Sequence, residues 1–459
     1  MKEAKIKYLF SIKSTEELDK LTHKELLKYM KNLQKNIVQE KPPKNSTNSG
    51  IPTSLEIITP KRNQSMRKKG GKNGGQFGHL GTTLKQSDAP DDTIDIKYNI
   101  ETCKKCNYDL SSVLASLREK RQILDLDLKD TNQKIIQYQS YSKECPKCGY
   151  NNHDNSYPKL VMPNISYGKN LMAIVSYLSV VHYLSYTRIV EALQTMYKIT
   201  ISEGTVDNLI KRASKLSKSE IDKIVSQIEL SNVVGIDETG AKVNGKKDWH
   251  WTFQNSSCTY IVHNESRGAK VIADNFKNGF INATVIHDNF RVYDTLNCKD
   301  EQLCLAHKLR DLNYAIECDD TQVMKDIKSL IQEAMIFHKE DLTPFQRVSL
   351  KIQYIVALDK LLATETIPKS ETHKQIKSFT KASNKIFTFL LYPNIPPDNN
   401  GSERAIRNIK VKQKVSHQYK SSQGAKDYAT LRSIIDTARK RDINEFETIR
   451  NIVDGRSVF

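Results

Sequence analysis

The spacing of apolar positions changes several times along the chain, and each change predicts a different kind of element. Leu26, Met30, Leu33 and Ile37 recur at four, three and four residues, forming one seam of a helix. That helix opens on a capping box from Thr22 to Glu25 and stops at Pro42 and Pro43. Two heptads suit a helix packed on its own chain as well as a dimer contact. "RQILDLDL" (121–128) and "QKIIQYQSY" (133–141) are strand-like and predict a hairpin. Helical periodicity runs from Lys169 to Ala213. Within it, "YTRIVEALQTMYKITISEGTVDNLIKRA" reads as a helix, a short turn at "KITIS" and a second helix capped by Ser202. This is the grammar of a helix-turn-helix, and equally of any two amphipathic helices with a short loop.

Beyond Ser231 the pattern turns to strands. "NVVGIDETG" is a short apolar run expected to end at Asp237 and Glu238, and "DWHWTFQNSS" and "CTYIVHN" alternate as two further strands. "GAKVIADNF" is helical, "ATVIHDNF" is a strand that delivers Asp288 near its end, and "EQLCLAH" is expected to be another strand. Together they predict an α/β layer with carboxylates gathered at strand ends. The stretch from "TQVMKDIKSLIQEAMIFHKEDL" to "SNKIFTFLLY" is helical. The 115 residues from Asp288 to Glu403 exceed what one strand and one helix need, so an inserted helical domain is expected at about 319–395.

Charge narrows the class of partner. The 459 residues carry 71 Lys and Arg against 53 Asp and Glu, a formal net charge of +18, which suits a polyanion such as nucleic acid. Between Lys41 and Lys85, nine bases face one acid, Glu56, among Gly, Ser and Asn. That composition suits a solvated linker, or an arm in which Lys68, Lys69 and Lys72 track phosphates. No run of about 18 apolar residues and no signal-peptide core is present, so a soluble intracellular protein with reduced thiols is expected. Four of the eight cysteines form two C-x-x-C pairs, Cys103 with Cys106 and Cys145 with Cys148, which could fill the shell of one structural Zn²⁺. Thiols that are merely buried or redox-active are the competing reading.

Acids in a DNA-binding chain have a chemical rationale. Phosphodiester cleavage needs an activated water and a stabilised leaving oxygen, and two Mg²⁺ about 3.5–4 Å apart can serve both. In "PPDNNGSERAIRNIKVKQK" (396–414) a helix would present Glu403 in its first turn, beside Arg404, with Arg407, Lys410 and Lys414 following on roughly the same face. The ordinary alternative for Glu403 is an i, i+4 ion pair with Arg407.

These residues resemble the insertion-sequence sixty-six family of DDE transposases over nearly the whole chain. "KNSTNSGIPTS", "KKGGKNGGQFGHLGTTL", "CKKC", "CPKCG", "GIDET", "VIHDNFRVYD", "CLAHKLRDL", "PPDNNGSERAIR" and "SIIDTARKRDIN" are similar to family motifs and follow in the family's order. The resemblance implies that Asp237, Asp288 and Glu403 are a metal-holding DDE triad on an RNase H-like fold. It makes Cys304 and His307 the family's Cys-x-x-His motif and places Trp249 and Trp251 on a core strand, all four expected to pack or position. The tract after Cys-x-x-His, arginine-rich in the family, is thinned to Lys308 and Arg310, which implies weaker DNA affinity.

The expected architecture is multidomain α+β. It comprises an N-terminal helical segment (1–40), a basic linker (41–90), a zinc module (91–165), a helix-turn-helix-like domain (166–230) and an RNase H-like catalytic domain (231–459) with its helical insertion. The implied activity is Mg²⁺-dependent cleavage and strand transfer at the ends of a mobile element, with two catalytic ions and Mn²⁺ able to substitute. Partners would be terminal inverted repeats and target DNA, a homodimer or larger assembly, and small accessory proteins, in a bacterial cytoplasm at the nucleoid. A domesticated DNA-binding regulator and a metal-dependent nuclease are the alternatives.

Overall fold

The computed structural model describes residues 84–459 except 97–99, 130–131, 154–155 and 159, together with Thr22, Glu25, Lys44 and Asn48. The N-terminal seam and the arm lysines Lys68, Lys69 and Lys72 lie outside the described residues. The two ends of the expected capping box are described: the Thr22 amide donates to the Glu25 carboxylate at 3.0 Å.

The alternating segments form a first mixed sheet. Strands β1 (Asp92–Asp95), β2 (Ser116–Leu126), β3 (Gln133–Glu144) and β5 (Ile165–Tyr167) lie in the order β1-β3-β2-β5, with β4 (Asn151–His153) paired on β3. The expected hairpin is the antiparallel pair β2 and β3. Four helices follow: α1 (Lys169–Val180), α2 (Tyr186–Tyr197), α3 (Glu203–Leu216) and α4 (Lys218–Glu229). Ser202 caps α3 as expected, its side chain accepting from the Thr205 amide at 3.1 Å. No helix among the described residues is long and apolar enough to cross a membrane.

The second sheet carries the site. Its strands are β6 (Val233–Val243), β7 (Lys246–Gln254), β8 (Thr259–Asn264), β9 (Phe280–His287) and β10 (Cys298–Leu303), with α5 (Lys270–Asn275) between β8 and β9. They lie in the order β10-β9-β6-β7-β8, parallel through β10, β9 and β6 and antiparallel through β7 and β8. Two expectations are corrected. β6 does not end at Asp237 and Glu238 but runs on to Val243, because its second half is one arm of a hairpin turned at Asn244 and Gly245, both at positive φ. "EQLCLAH" is strand only to Leu303; the Cys304 amide makes the last bond to His287, and a helix begins at Leu305.

Helices α6 (Leu305–Asp319), α7 (Gln322–Phe337), α8 (Pro344–Leu362) and α9 (Glu371–Thr380) fill the stretch before Glu403. Met324, Ile327, Leu358, Phe379 and Phe387 share one apolar cluster with Ile286 and Leu303 of the sheet, so these helices pack on its β9 and β10 side. The chain closes with α10 (Asn400–Ser416), α11 (Ser422–Lys440) and α12 (Glu445–Val453). α11 lies against β8, where Ser433 and Thr437 hydroxyls accept the Ile261 and Thr259 amides at 2.8 and 3.1 Å.

Candidate active site and cysteine centre

Two parallel strands bring the first two acids alongside each other. β6 and β9 pair as Val233 with Thr284, Val234 with Val285 and Gly235 with Ile286. Asp237 and Asp288 each lie two residues past the last pair, so strand alternation puts both on one face, where the strands part. Past the end of β9, Asp288 Oδ1 accepts from the Phe290 amide at 3.0 Å, a local turn that orients the carboxylate.

Glu238, one residue on, belongs to the opposite face. Its buried carboxylate accepts from Arg267 Nε and Nη2 at 2.9 and 2.6 Å and from the Tyr293 hydroxyl. Of the two adjacent acids, Glu238 is therefore ion-paired with Arg267 in the core and Asp237 is left to the site.

Glu403 arrives in the first turn of α10, whose start is clamped by Asn399. The Asn399 amide donates to Cys304 Sγ at 3.2 Å, its Nδ2 donates to the Ile236 carbonyl at 2.7 Å, and its Oδ1 accepts from Ser402 Oγ at 2.7 Å. Two glycines permit this approach. A Cβ on Gly235 would lie 2.6 Å from Asn399 Oδ1, and one on Gly401 would lie 2.6 Å from Gln254 Nε2. Gly235→Ala is thus expected to push the start of α10 off β6 and to lower stability by about 1–3 kcal/mol, the cost of overpacking, as read by denaturant unfolding.

The acids interact strongly. Burial, and then the charges of Glu238, Asp288 and Glu403, hold the Asp237 carboxyl well above its ordinary range, although the Glu238 amide donates to it at 2.8 Å. Mutual repulsion among hard oxygen donors is the condition a divalent cation relieves, so the residues fit Mg²⁺.

Glu403 is already engaged. Its Oε1 accepts from Arg310 Nη2 at 3.0 Å and lies 3.7 Å from His307 Nδ1, so its ionic partner is 93 residues away on α6 and not Arg407 one turn on. Among the described residues, the donor sets whose atoms all lie within 4.8 Å of one another are Cys103, Cys106, Cys145 and Cys148, and Cys304, His307 and Glu403. The three acids are not drawn together that tightly.

The other expected site residues divide. Arg404, Arg407 and Lys414 are exposed on α10, whereas Lys410 Nζ donates to the Gly240 carbonyl at 3.1 Å. Lys308 is buried and donates to Ser378 Oγ at 2.9 Å, so with Arg310 on Glu403 the thinned basic tract faces inward. Trp251 is buried, with Nε1 donating to the Ser266 carbonyl at 3.2 Å, and Trp249 packs under Lys247 and Arg267 at 4.7 and 4.5 Å.

A family model described as Transposase IS66 family matches residues 164–427. The chain belongs to the IS66 transposase family. The matched span contains Asp237, Asp288, Cys304, His307 and Glu403 and ends within α11. No curated protein matches the chain.

This transposase carries its cysteine centre ahead of the matched span. Both knuckles make the same turn: the Cys103 and Cys145 amides donate to the Tyr108 and Tyr150 carbonyls at 2.8 and 3.0 Å, with Asn107 and Gly149 at positive φ. Hairpin β2–β3 spans the gap between them. Cys103 and Cys148 Sγ are 3.6 Å apart, as are Cys106 and Cys145 Sγ. A Zn²⁺ tetrahedron with ligands at ~2.3 Å needs sulfurs about 3.8 Å apart, so the four fit that ion. Burial opposes the Cys103 thiolate, but the Lys105 and Cys106 amides, Asn152 and Cys148 favour it more and bring its pKa down to about 6. Although the Tyr150 amide favours the Cys148 thiolate, burial and the three neighbouring sulfurs push that thiol up to about 12.

Three residues of the transposase site had no role in the sequence reading, Arg267, Tyr293 and Asn399, and Arg310 was read only as part of the thinned basic tract and not as the partner of Glu403. Their partners lie 29 to 163 residues away, beyond any local periodicity. The adjacency of Asp237 and Glu238 was the one available signal, since two neighbouring strand acids must face opposite ways.

Proposed function

We propose that this transposase binds the ends of its mobile element and carries out Mg²⁺-dependent strand cleavage and strand transfer, with Asp237, Asp288 and Glu403 as its metal-holding acids. The observation that carries the reading is the register of β6 and β9, which sets Asp237 and Asp288 on one face beside the start of α10. The strand order, three antiparallel strands followed by two parallel ones beyond the first, supports an RNase H-like core, with α7 to α9 as its helical insertion. Magnesium held there would supply an activated water or hydroxyl and charge for the leaving oxygen. Asp237, Asp288 and Glu403 would hold the ion, Glu403 being available to it if Arg310 gives way, and Arg404, Arg407 and Lys414 would hold the strand. The hydroxyl freed by cleavage then attacks target DNA directly, so no covalent protein intermediate is needed. The cysteine centre is a structural Zn²⁺ staple, α2 and α3 a helix-turn-helix-like DNA reader, and the working place the cytoplasm.

The deciding experiment incubates the purified chain with its flanking DNA and Mg²⁺ and follows cleaved and joined products. Cleavage without joining would leave a nuclease, and binding without either a regulator. Affinity should fall steeply with salt; Arg407→Ala and Lys414→Ala are each expected to lower the slope of log K against log salt by about one.

A further inference from the structure

The proposed chemistry uses Glu403 and leaves Cys304 and His307 beside it. One sulfur, one imidazole nitrogen and one carboxylate oxygen from these three residues all lie within 4.8 Å of one another. Cys304 is the N-cap of α6 and His307 sits in its first turn, so the Cys-x-x-His spacing presents both at one helix end. His307 Nδ1 is buried with no hydrogen-bond partner, 3.7 Å from Glu403 Oε1. Cys304 Sγ is buried and accepts the Asn399 amide at 3.2 Å, the kind of bond that steadies a metal-bound thiolate. A buried, unpartnered ring nitrogen between a thiol and a carboxylate requires an explanation, and an ion supplies it.

We propose that Cys304, His307 and Glu403 form a second metal site, for a borderline-soft divalent ion of the zinc type, that switches the active site off by withholding Glu403 from magnesium. Sulfur with imidazole selects against Mg²⁺ and for Zn²⁺, and three protein ligands leave one tetrahedral position for water. Arg310, 3.0 Å from Glu403 Oε1, competes with the ion for that oxygen. The regulatory half rests on Glu403 being a catalytic acid; the binding half does not.

Zinc is the probe for the full-length chain, counted by elemental analysis after dialysis and titrated against a competing zinc indicator. Two ions per chain are expected, the second weaker. Cys304→Ser, His307→Ala and Glu403→Gln should each lose the second and keep the first. Arg310→Ala should tighten the second by about tenfold, which a merely structural cluster would not do. One zinc in the unaltered chain, or a second zinc indifferent to all three substitutions, overturns the site. Glu403→Gln, on a part-exposed helix face, keeps the count decisive if Cys304→Ser fails to fold. In Mg²⁺-dependent cleavage of flanking DNA, added zinc should inhibit the unaltered chain, and Cys304→Ser should need about tenfold more zinc. Equal sensitivity overturns the regulatory half. No cleavage under any condition removes the proposed function and the regulatory half with it, while the zinc count still decides the site.

Discussion

Asp237→Asn is expected to lower Mg²⁺-dependent cleavage by about a thousandfold or more while raising the melting temperature of the chain without added divalent ions. Both effects have one cause. Asp237 is held on a half-buried sheet face with Glu238, Asp288 and Glu403 around it, and its carboxyl is raised well above the ordinary range, burial first and then those charges. An amide keeps the shape and removes the charge. It therefore relieves the repulsion that opposes folding and at the same time deletes the oxygen charge that would hold the cation. DNA binding, which we propose is carried by exposed bases on α10 rather than by this acid, should change little. A variant with full cleavage would remove Asp237 from the chemistry; a variant less stable than the parent would refute the repulsion argument.

The pH dependence follows in sign. The folded-state pKa of Asp237 lies above its unfolded value, so the folded chain binds this proton more tightly and stability falls as pH rises. The cost is absent below the unfolded value of about 3.9, grows as pH rises from there to the folded pKa, and is complete above it. The melting-temperature gap between Asp237→Asn and the parent should open over that interval and persist to neutral pH. Saturating Mg²⁺ should narrow or reverse it, because the ion stabilises only the charged parent. A gap independent of pH would point to packing instead of charge.

How much of this was legible beforehand depends on whether the deciding interaction is local. The two knuckles, the Ser202 cap and the β2–β3 hairpin were read from residues a few positions apart. Asp237 and Asp288 were found as strand-borne acids, but strand pattern alone put β6's end five residues too early, at Glu238 instead of Val243. The Asn244-Gly245 turn that prolongs it is itself a sequence signal that the apolar run overshadowed. For Glu403, expected as a metal-holding acid, the ordinary alternative was a pair with Arg407, because helical neighbours are the pairs a sequence displays. The structure pairs it with Arg310, since the starts of α6 and α10 meet where the Asn399 amide and Nδ2 tie Cys304 to Ile236. Likewise Lys410 reads as a phosphate ligand on a helical wheel, yet α10 packs on β6, and the Gly240 carbonyl takes its ammonium.

Stripping zinc should cost the cysteine centre its fold while leaving the second sheet in place. The buried apolar cluster there consists of Cys103, Leu110 and Cys145, with Ile100, Cys106, Val113 and Cys148 partly buried against it. Two of the three fully buried members are themselves proposed ligands. So small a core cannot offset the ordering of two knuckles and their loops, and the stabilisation is expected from the proposed ion, structural Zn²⁺ sites supplying on the order of 10 kcal/mol or more. Without it, four sulfurs within 4.8 Å of one another repel whenever more than one is ionised. Cys145→Ser, or chelation, is therefore expected to release backbone protection at the Cys103, Asn107, Cys145 and Gly149 amides. Protection in β6 and β9 should persist, because the cluster of Val234, Ile236, Trp251, Phe253 and Val285 contains no residue of the knuckles. Hydrogen exchange of the two regions measures this directly. Uniform loss across both would mean that the centre and the second sheet fold as one unit, and undiminished knuckle protection in zinc-free protein would mean that the thiols pack without a metal.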